Sequence, residues 1–327
     1  MAYTRSTDGS DWGEPRIRRL ADGQDLPERL EGLLWAKAAS TRDSTGFFYQ
    51  RTQRAGSGER TMLRAPAVYV HRVDSPQAAD LVVFRTAEET SDLVVDIGMS
   101  DDGRNLFVYE GNGADVTGIG WLLTRVHVLD LGRTGPAVVT NPVVPFTPDR
   151  VAAYRVIASD AEQWFVLTDR GAPRRRLVTI DPRHPSPNHW REIIPESGDV
   201  LDRVYALGSR FAAVYRRDLQ HAVRIFDRRG RLIRELAIDP MRKVLDVQAG
   251  RNNDEVVVDT MSFLVPPARS RYSLRSGATT LDTPPTGPVS AVDIEVKQVW
   301  LCPIGGSRLK SLRRPSTIHA VENPDLT

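Results

Sequence analysis

The chain has one cysteine in 327 residues, and four of its 44 basic side chains are lysine. A single thiol, Cys302, excludes an internal disulfide framework and any multi-cysteine zinc site. No stretch approaches the roughly 18 consecutive apolar residues of a membrane span. The N-terminus, Met1-Ala2-Tyr3-Thr4-Arg5-Ser6, has none of the apolar core of a secretory signal. A cytoplasmic protein that does not enter the membrane is therefore expected. A dominant charge is missing as well: 44 basic residues face 42 acidic ones for a net +2, which argues against a nucleic-acid surface. The Arg excess, 40 once the four lysines are subtracted from 44, offers bidentate forks suited to phosphate. The arginines are scattered and matched by carboxylates, however, so GC-rich codon usage accounts for them without a function.

What the sequence does contain is many short β-branched or aromatic runs bounded by Gly, Asp, Asn, Ser or Pro. Phe47-Phe48-Tyr49, Leu81-Val82-Val83-Phe84, Leu106-Phe107-Val108-Tyr109, Trp164-Phe165-Val166-Leu167, Phe211-Ala212-Ala213-Val214-Tyr215 and Glu255-Val256-Val257-Val258 are examples. They are too short for helices and too closely spaced for parallel strands with helical crossovers. Asp102-Gly103, Asn112-Gly113, Ser209-Arg210 and Arg229-Gly230 mark reversals between antiparallel strands. One stretch, Asp25 to Ala38, carries partly helical leucine spacing, weakened by Pro27 and Gly32. A loose repeat of about 40 to 50 residues holds about four strands each. The turn Arg42-Asp43-Ser44-Thr45-Gly46 before Phe47 is echoed by Ser100-Asp101-Asp102-Gly103-Arg104 before Leu106. The expected fold class is all-β, a β-propeller of four-stranded antiparallel blades, with a β-sandwich as the structural alternative.

A family resemblance rests on collinear segments. Gly9-Ser10-Asp11-Trp12, Gly46-Phe47-Phe48-Tyr49, Val68 to Asp80 (VYVHRVDSPQAAD) and Ser100 to Arg104 come first. Leu167 to Pro173, Trp190 to Glu196 followed by Asp199-Val200-Leu201, Thr260 to Pro266 and Val296 to Trp300 follow in order. Together they resemble the propeller of the prolyl oligopeptidase family of serine peptidases. The resemblance implies a seven-bladed propeller that caps an α/β-hydrolase, admits short peptides and leaves cleavage after proline to a Ser-Asp-His triad. Oligopeptidase B remains an alternative ancestry. The likeness begins inside the early propeller and stops after Trp300. The expected organisation is thus a propeller over residues 1–300, with early blade material missing, and an irregular tail over 301–327. A frame change near residue 301 and the absence of a hydrolase domain are part of that expectation. The expected function is the substrate-gating part of a peptidase without its own triad, meeting short peptides in the channel when a hydrolase is supplied in trans. A non-catalytic binding scaffold or a decayed fragment is the alternative.

Few residues offer chemistry of their own. Gly305-Gly306-Ser307 has the Gly-Gly-Ser context of the family's catalytic serine, yet Arg308-Leu309 follows it and only His319 and Asp325 remain downstream. That is no setting for a nucleophile elbow. His71 matches a family strand position and reads as a histidine hydrogen-bonded within a blade rather than one lining a channel. Asp181, His184 and His189 lie among Pro182, Pro185 and Pro187 without regular ligand spacing. Gly56-Ser57-Gly58 and Gly111-Asn112-Gly113 read as turns, not phosphate cradles. Trp121, Trp164 and Trp190 are expected to fill space between blades, and Arg174-Arg175-Arg176 reads as a solvated turn. Cys302 has no histidine partner. No catalytic, cofactor-binding or metal residue is assigned, and no cofactor is expected.

Overall fold

In a computed structural model the described residues are 2–5, 12–34, 38–55, 62–86, 92–112, 124–132, 141–147, 151–160, 162–250, 254–262, 266–283, 297–301 and 309–313. They form two compact units, Met1–Gly198 and Asp199–Thr327. Ser307, Cys302, Trp121, Gly56-Ser57-Gly58, Gly113, His319 and Asp325 lie outside the described residues.

The first unit opens with β1 (Ala2–Arg5), β2 (Trp12–Ile17) and β3 (Leu33–Leu34), a three-stranded sheet. Three four-stranded meanders follow. The first comprises β4 (Ala38–Ser40), β5 (Gly46–Ala55), β6 (Met62–Arg72) and β7 (Leu81–Arg85). The second comprises β8 (Asp92–Met99), β9 (Asn105–Asn112), β10 (Thr124–Asp130) and β11 (Val144–Pro145). The third comprises β12 (Tyr154–Ser159), β13 (Trp164–Thr168), β14 (Arg176–Ile180) and β15 (Arg191–Ile194). The second unit holds two more meanders. One is β16 (Val200–Leu207), β17 (Arg210–Arg217), β18 (Gln220–Asp227) and β19 (Leu232–Leu236). The other is β20 (Lys243–Ala249), β21 (Glu255–Met261), β22 (Ala268–Ser273) and β23 (Thr279–Thr283). In all five sheets neighbouring strands are consecutive in sequence. Finally β24 (Lys297–Leu301) pairs with β25 (Leu309–Arg313), so a strand lies within the tail that reads as irregular. Its two leucines, Leu309 and Leu312, are too few to announce a strand.

Turn chemistry explains the hairpins. Thr41 Oγ1 donates to Asp43 Oδ1 at 2.7 Å and accepts the Gly46 amide at 3.1 Å. Ser100 Oγ likewise donates to Asp102 Oδ1 at 2.6 Å and accepts the Asn105 amide at 2.8 Å. The repeat read in the sequence is thus a repeat of one hydrogen-bonded turn. Its left-handed position is filled by Gly103 (φ 67°) in one copy and by Ser44 (φ 58°) in the other.

Period-two alternation gives the central strands two buried faces. In β9, Leu106 and Val108 pack with Phe48, Val68 and Leu129 on one side. Phe107 and Tyr109 pack with Tyr154, Trp164 and Val178 on the other. In the second unit Ala212, Val214, Val223 and Ile225 join Val244, Val247, Val256 and Val258 in one core. A single sheet could not dry both faces; successive sheets do it for each other. The fourth strands stay open, with Leu81, Leu232 and Ile233 exposed.

The helix suggested over Asp25 to Ala38 does not form among the described residues of that stretch. Arg18 makes an isolated bridge with Asp25, Gly32 sits at φ 79°, and Leu33–Leu34 pair with Trp12 and Gly13. Pro27 lacks an amide donor, and Leu30 is buried against Ile17, Phe47 and Tyr49 from an irregular backbone.

A recurrent irregularity stitches the sheets. The pairing of the first strand with the second shifts by a residue at Val94/Asp96, Val156/Ala158, Leu201/Arg203 and Val244/Asp246. These are bulges that bend and twist each first strand. Residues at or near them reach to the next sheet: Arg155 of β12 pairs with Asp96 of β8. Arg203 of β16 donates to the Val244 and Leu245 carbonyls of β20, each at 2.7 Å.

Candidate functional site

His71 is fully buried at the end of β6, as a histidine within a blade should be. The chain turns after β6, makes a single 3-10 turn at Gln77–Ala79 and returns Asp80 to it. Asp80 Oδ1 lies 2.8 Å from His71 Nδ1, and because a carboxylate only accepts, that nitrogen carries the proton. Nε2 stands 3.5 Å from Glu28 Oε2, and neither atom has a hydrogen-bond partner among the described residues. Tyr49 donates its hydroxyl to Asp80 Oδ2 at 2.7 Å and accepts from Gln77 Nε2 at 3.0 Å. Burial, with Asp80 adding to it, holds the Tyr49 phenol well above its ordinary range. This closed centre ties the segment carrying Glu28 to β5 and β6.

The other sequence candidates separate. Asp181 receives the backbone amide and guanidinium of Arg183 and lies 3.2 Å from His184 Nδ1. His189 meets His184 only edge to face, with ring centroids 5.9 Å apart. Trp164 is buried against Phe107 and Phe146, filling space between two sheets as expected. Trp190 packs edge-on against Tyr154 and donates to the Pro185 carbonyl at 2.9 Å. In the Arg174-Arg175-Arg176 turn, Arg176 pairs with Glu192 and Arg175 takes the left-handed conformation. In β10, His127 Nε2 is 2.8 Å from Glu110 Oε2 and its ring packs tilted against Phe84, with centroids 4.6 Å apart.

A recess lies in the second unit. The β17–β18 hairpin closes on the pair Arg217↔Gln220, leaving Asp218 and Leu219 at its tip. Beside it run Pro240 and Met241, the start of β20 at Lys243, and the end of β21 at Met261. Together these enclose a cleft of about 430 Å³ that also touches Arg216 and His221. Gln220, His221 and Pro240 are shared with a smaller, more polar hollow of about 220 Å³. There Asp199 pairs with Arg217 and Arg224, and Arg224 also pairs with Glu235.

His221 Nδ1 accepts the Val244 amide at 3.2 Å, which places the proton of the neutral ring on Nε2. Burial, assisted by Arg203, Lys243 and Arg216 against an opposing Asp202, keeps this imidazole below its ordinary range. Sequence reasoning missed His221 and Lys243. The one signal available was the rarity of lysine.

A family profile described as "Prolyl oligopeptidase, N-terminal beta-propeller domain" matches residues 1–284. The chain belongs to the prolyl oligopeptidase family through its β-propeller domain. Curated relatives include prolyl oligopeptidase A of Galerina marginata, 25% identical over 287 residues, covering 84% of this chain and 37% of that one. Another is a prolyl endopeptidase of Elizabethkingia miricola, 21% identical over 316 residues, covering 94% and 42%. Among solved structures, one from a study of two prolyl endopeptidases and their inter-domain dynamics superposes with a TM-score of 0.81 at 22% identity, covering 95% of this chain and 44% of that one. Oligopeptidase B from Leishmania major reaches 0.73 at 16% identity, covering 94% and 42%. These likenesses establish the β-propeller fold, whose blades are the five four-stranded meanders. The chain spans about two fifths of the length of these relatives. No helix of the described residues is long and apolar enough to cross a membrane.

Proposed function

We propose that this chain is the substrate-gating propeller of a prolyl-oligopeptidase-like serine peptidase. The observation that carries the reading is the family match over residues 1–284, which takes in all five four-stranded blades. Acyl transfer needs a serine, a base, an orienting carboxylate and an oxyanion hole assembled together. The three buried histidines among the described residues spend ring contacts elsewhere: His71 on Asp80, His127 on Glu110, His221 on a backbone amide. The role left to the blades is steric, restricting a hydrolase partner to short peptides, as the family resemblance implies.

The 327-residue chain alone is expected to give no serine-inhibitor-sensitive cleavage of a fluorogenic proline-containing peptide; such turnover overturns the reading. Adding the hydrolase domain of a family member should restore cleavage of short peptides but not of folded proteins. Equal cleavage of both removes the gating role.

A further inference from the structure

The 430 Å³ cleft of the second unit is of a size that holds small ligands, and the peptidase reading makes no use of it. Its walls are contributed largely by Leu219, Pro240, Met241 and Met261. Leu219 is 47% exposed at a hairpin tip, where an apolar side chain gains only part of the benefit of burial. Two methionines give walls that adapt to differently shaped apolar partners. Of its charged side chains, Arg216 and Lys243 are cations and Asp218 is an anion. Beyond the strand pairing of its backbone with Met261, Lys243 makes no hydrogen bond or ion pair among the described residues. Arg216 has a single loose partner, Asp202 at 3.7 Å. His221 is fixed as the Nε2–H tautomer by the Val244 amide, a neutral donor. Asp218, at the hairpin tip in the left-handed conformation, is the one acid among the lining residues.

An apolar trough with an uncommitted ammonium at its edge matches a ligand with one negative charge on an apolar body. A phosphate would call instead for converging Arg forks or a nest of backbone amides. We propose that this cleft binds the C-terminal carboxylate of a peptide ending in large apolar side chains, with Lys243 pairing the carboxylate and Met241 and Met261 holding the last side chain. The proposal stands apart from the gating reading, because it requires neither a hydrolase domain nor turnover.

The test is calorimetric titration of the full 327-residue chain with N-acetyl-Leu-Phe as the free acid and as its C-terminal amide. Saturable binding of the acid, at least tenfold tighter than the amide and weakened by salt, is expected. Lys243→Met should weaken the acid at least fivefold and leave the amide unmoved, while Lys243→Arg keeps most of the affinity. Lys243 is exposed, so both variants should keep the wild-type melting temperature. Leu219→Glu, which sets a second acid at the tip, should abolish binding of the acid. Equal binding of acid and amide, binding of neither, or indifference to Lys243→Met overturns the proposal. Octanoate binding as tightly as the peptide acid overturns the peptide assignment.

Discussion

At the scale of single residues, burial decides what the titratable groups do. Tyr109 is pushed up to about 12 by burial, while the same phenol in an unfolded chain ionises near 10. Its contribution is therefore fully present below about pH 10 and is lost as pH rises toward 12. Tyr109→Phe should flatten the alkaline limb of a stability–pH curve, and an unchanged limb would assign the loss elsewhere. His221 has the opposite sign. Its folded-state value lies below 6.5, so its contribution is complete above that pH and falls away on acidification, when the ring must take a proton and give up the Val244 amide. An NMR titration should place the His221 midpoint below that of a free imidazole; a midpoint at or above it contradicts the buried neutral ring. Trp164 is packed between two sheets, and Trp164→Ala should cost about 3–5 kcal/mol in denaturant unfolding.

At the scale of elements, the turns were legible and the bulges were not. Asp102-Gly103 and Arg229-Gly230 announce positive φ, and Gly103 and Gly230 adopt it because glycine does so without a steric penalty. Ser44 occupies the equivalent of Gly103 with a side chain that disfavours that conformation. Ser44→Gly is expected to stabilise by up to about 1 kcal/mol. Gly103→Ser should destabilise, since a Cβ there would also press on Arg42. Thermal melts of the two variants shifting in the same direction would sink the equivalence. The helix read into Asp25 to Ala38 went astray because leucine spacing records burial, and an irregular segment buried Leu30 just as well. The His71 centre was half legible. The histidine could be seen, but its partners Glu28, Tyr49 and Asp80 come from three separate segments, and only the chain's return through the 3-10 turn brings them together. Asp80→Ala, which strips the pair from a buried imidazole, should cost roughly 3–5 kcal/mol.

At the scale of the whole molecule, charge balance proves to be organised as well as numerical. Among the described residues many arginines are tied locally, as in Arg104–Asp130, Arg183–Asp181, Arg231–Asp227 and Arg269–Asp259, which offsets their positive charge where it stands. The chain is expected to leave heparin at or below about 150 mM salt, where exposed charges are screened within about 8 Å. Retention beyond about 500 mM would reveal a basic face. Fold class and blade unit were readable because both faces of each central strand are apolar in alternation. The cleft was not, since its residues come from three connections that meet only through folding. The bulged first strands also set the terms on which this sequence can change length. One skipped residue, Asp202, lies between two paired neighbours. Its deletion would leave every other strand residue facing the side it faces now, whereas a deletion almost anywhere else in the strand would turn core to water. First strands of this kind are thus the places where a blade can lose a letter and keep its meaning, and natural variants shorter by one residue should be found there first.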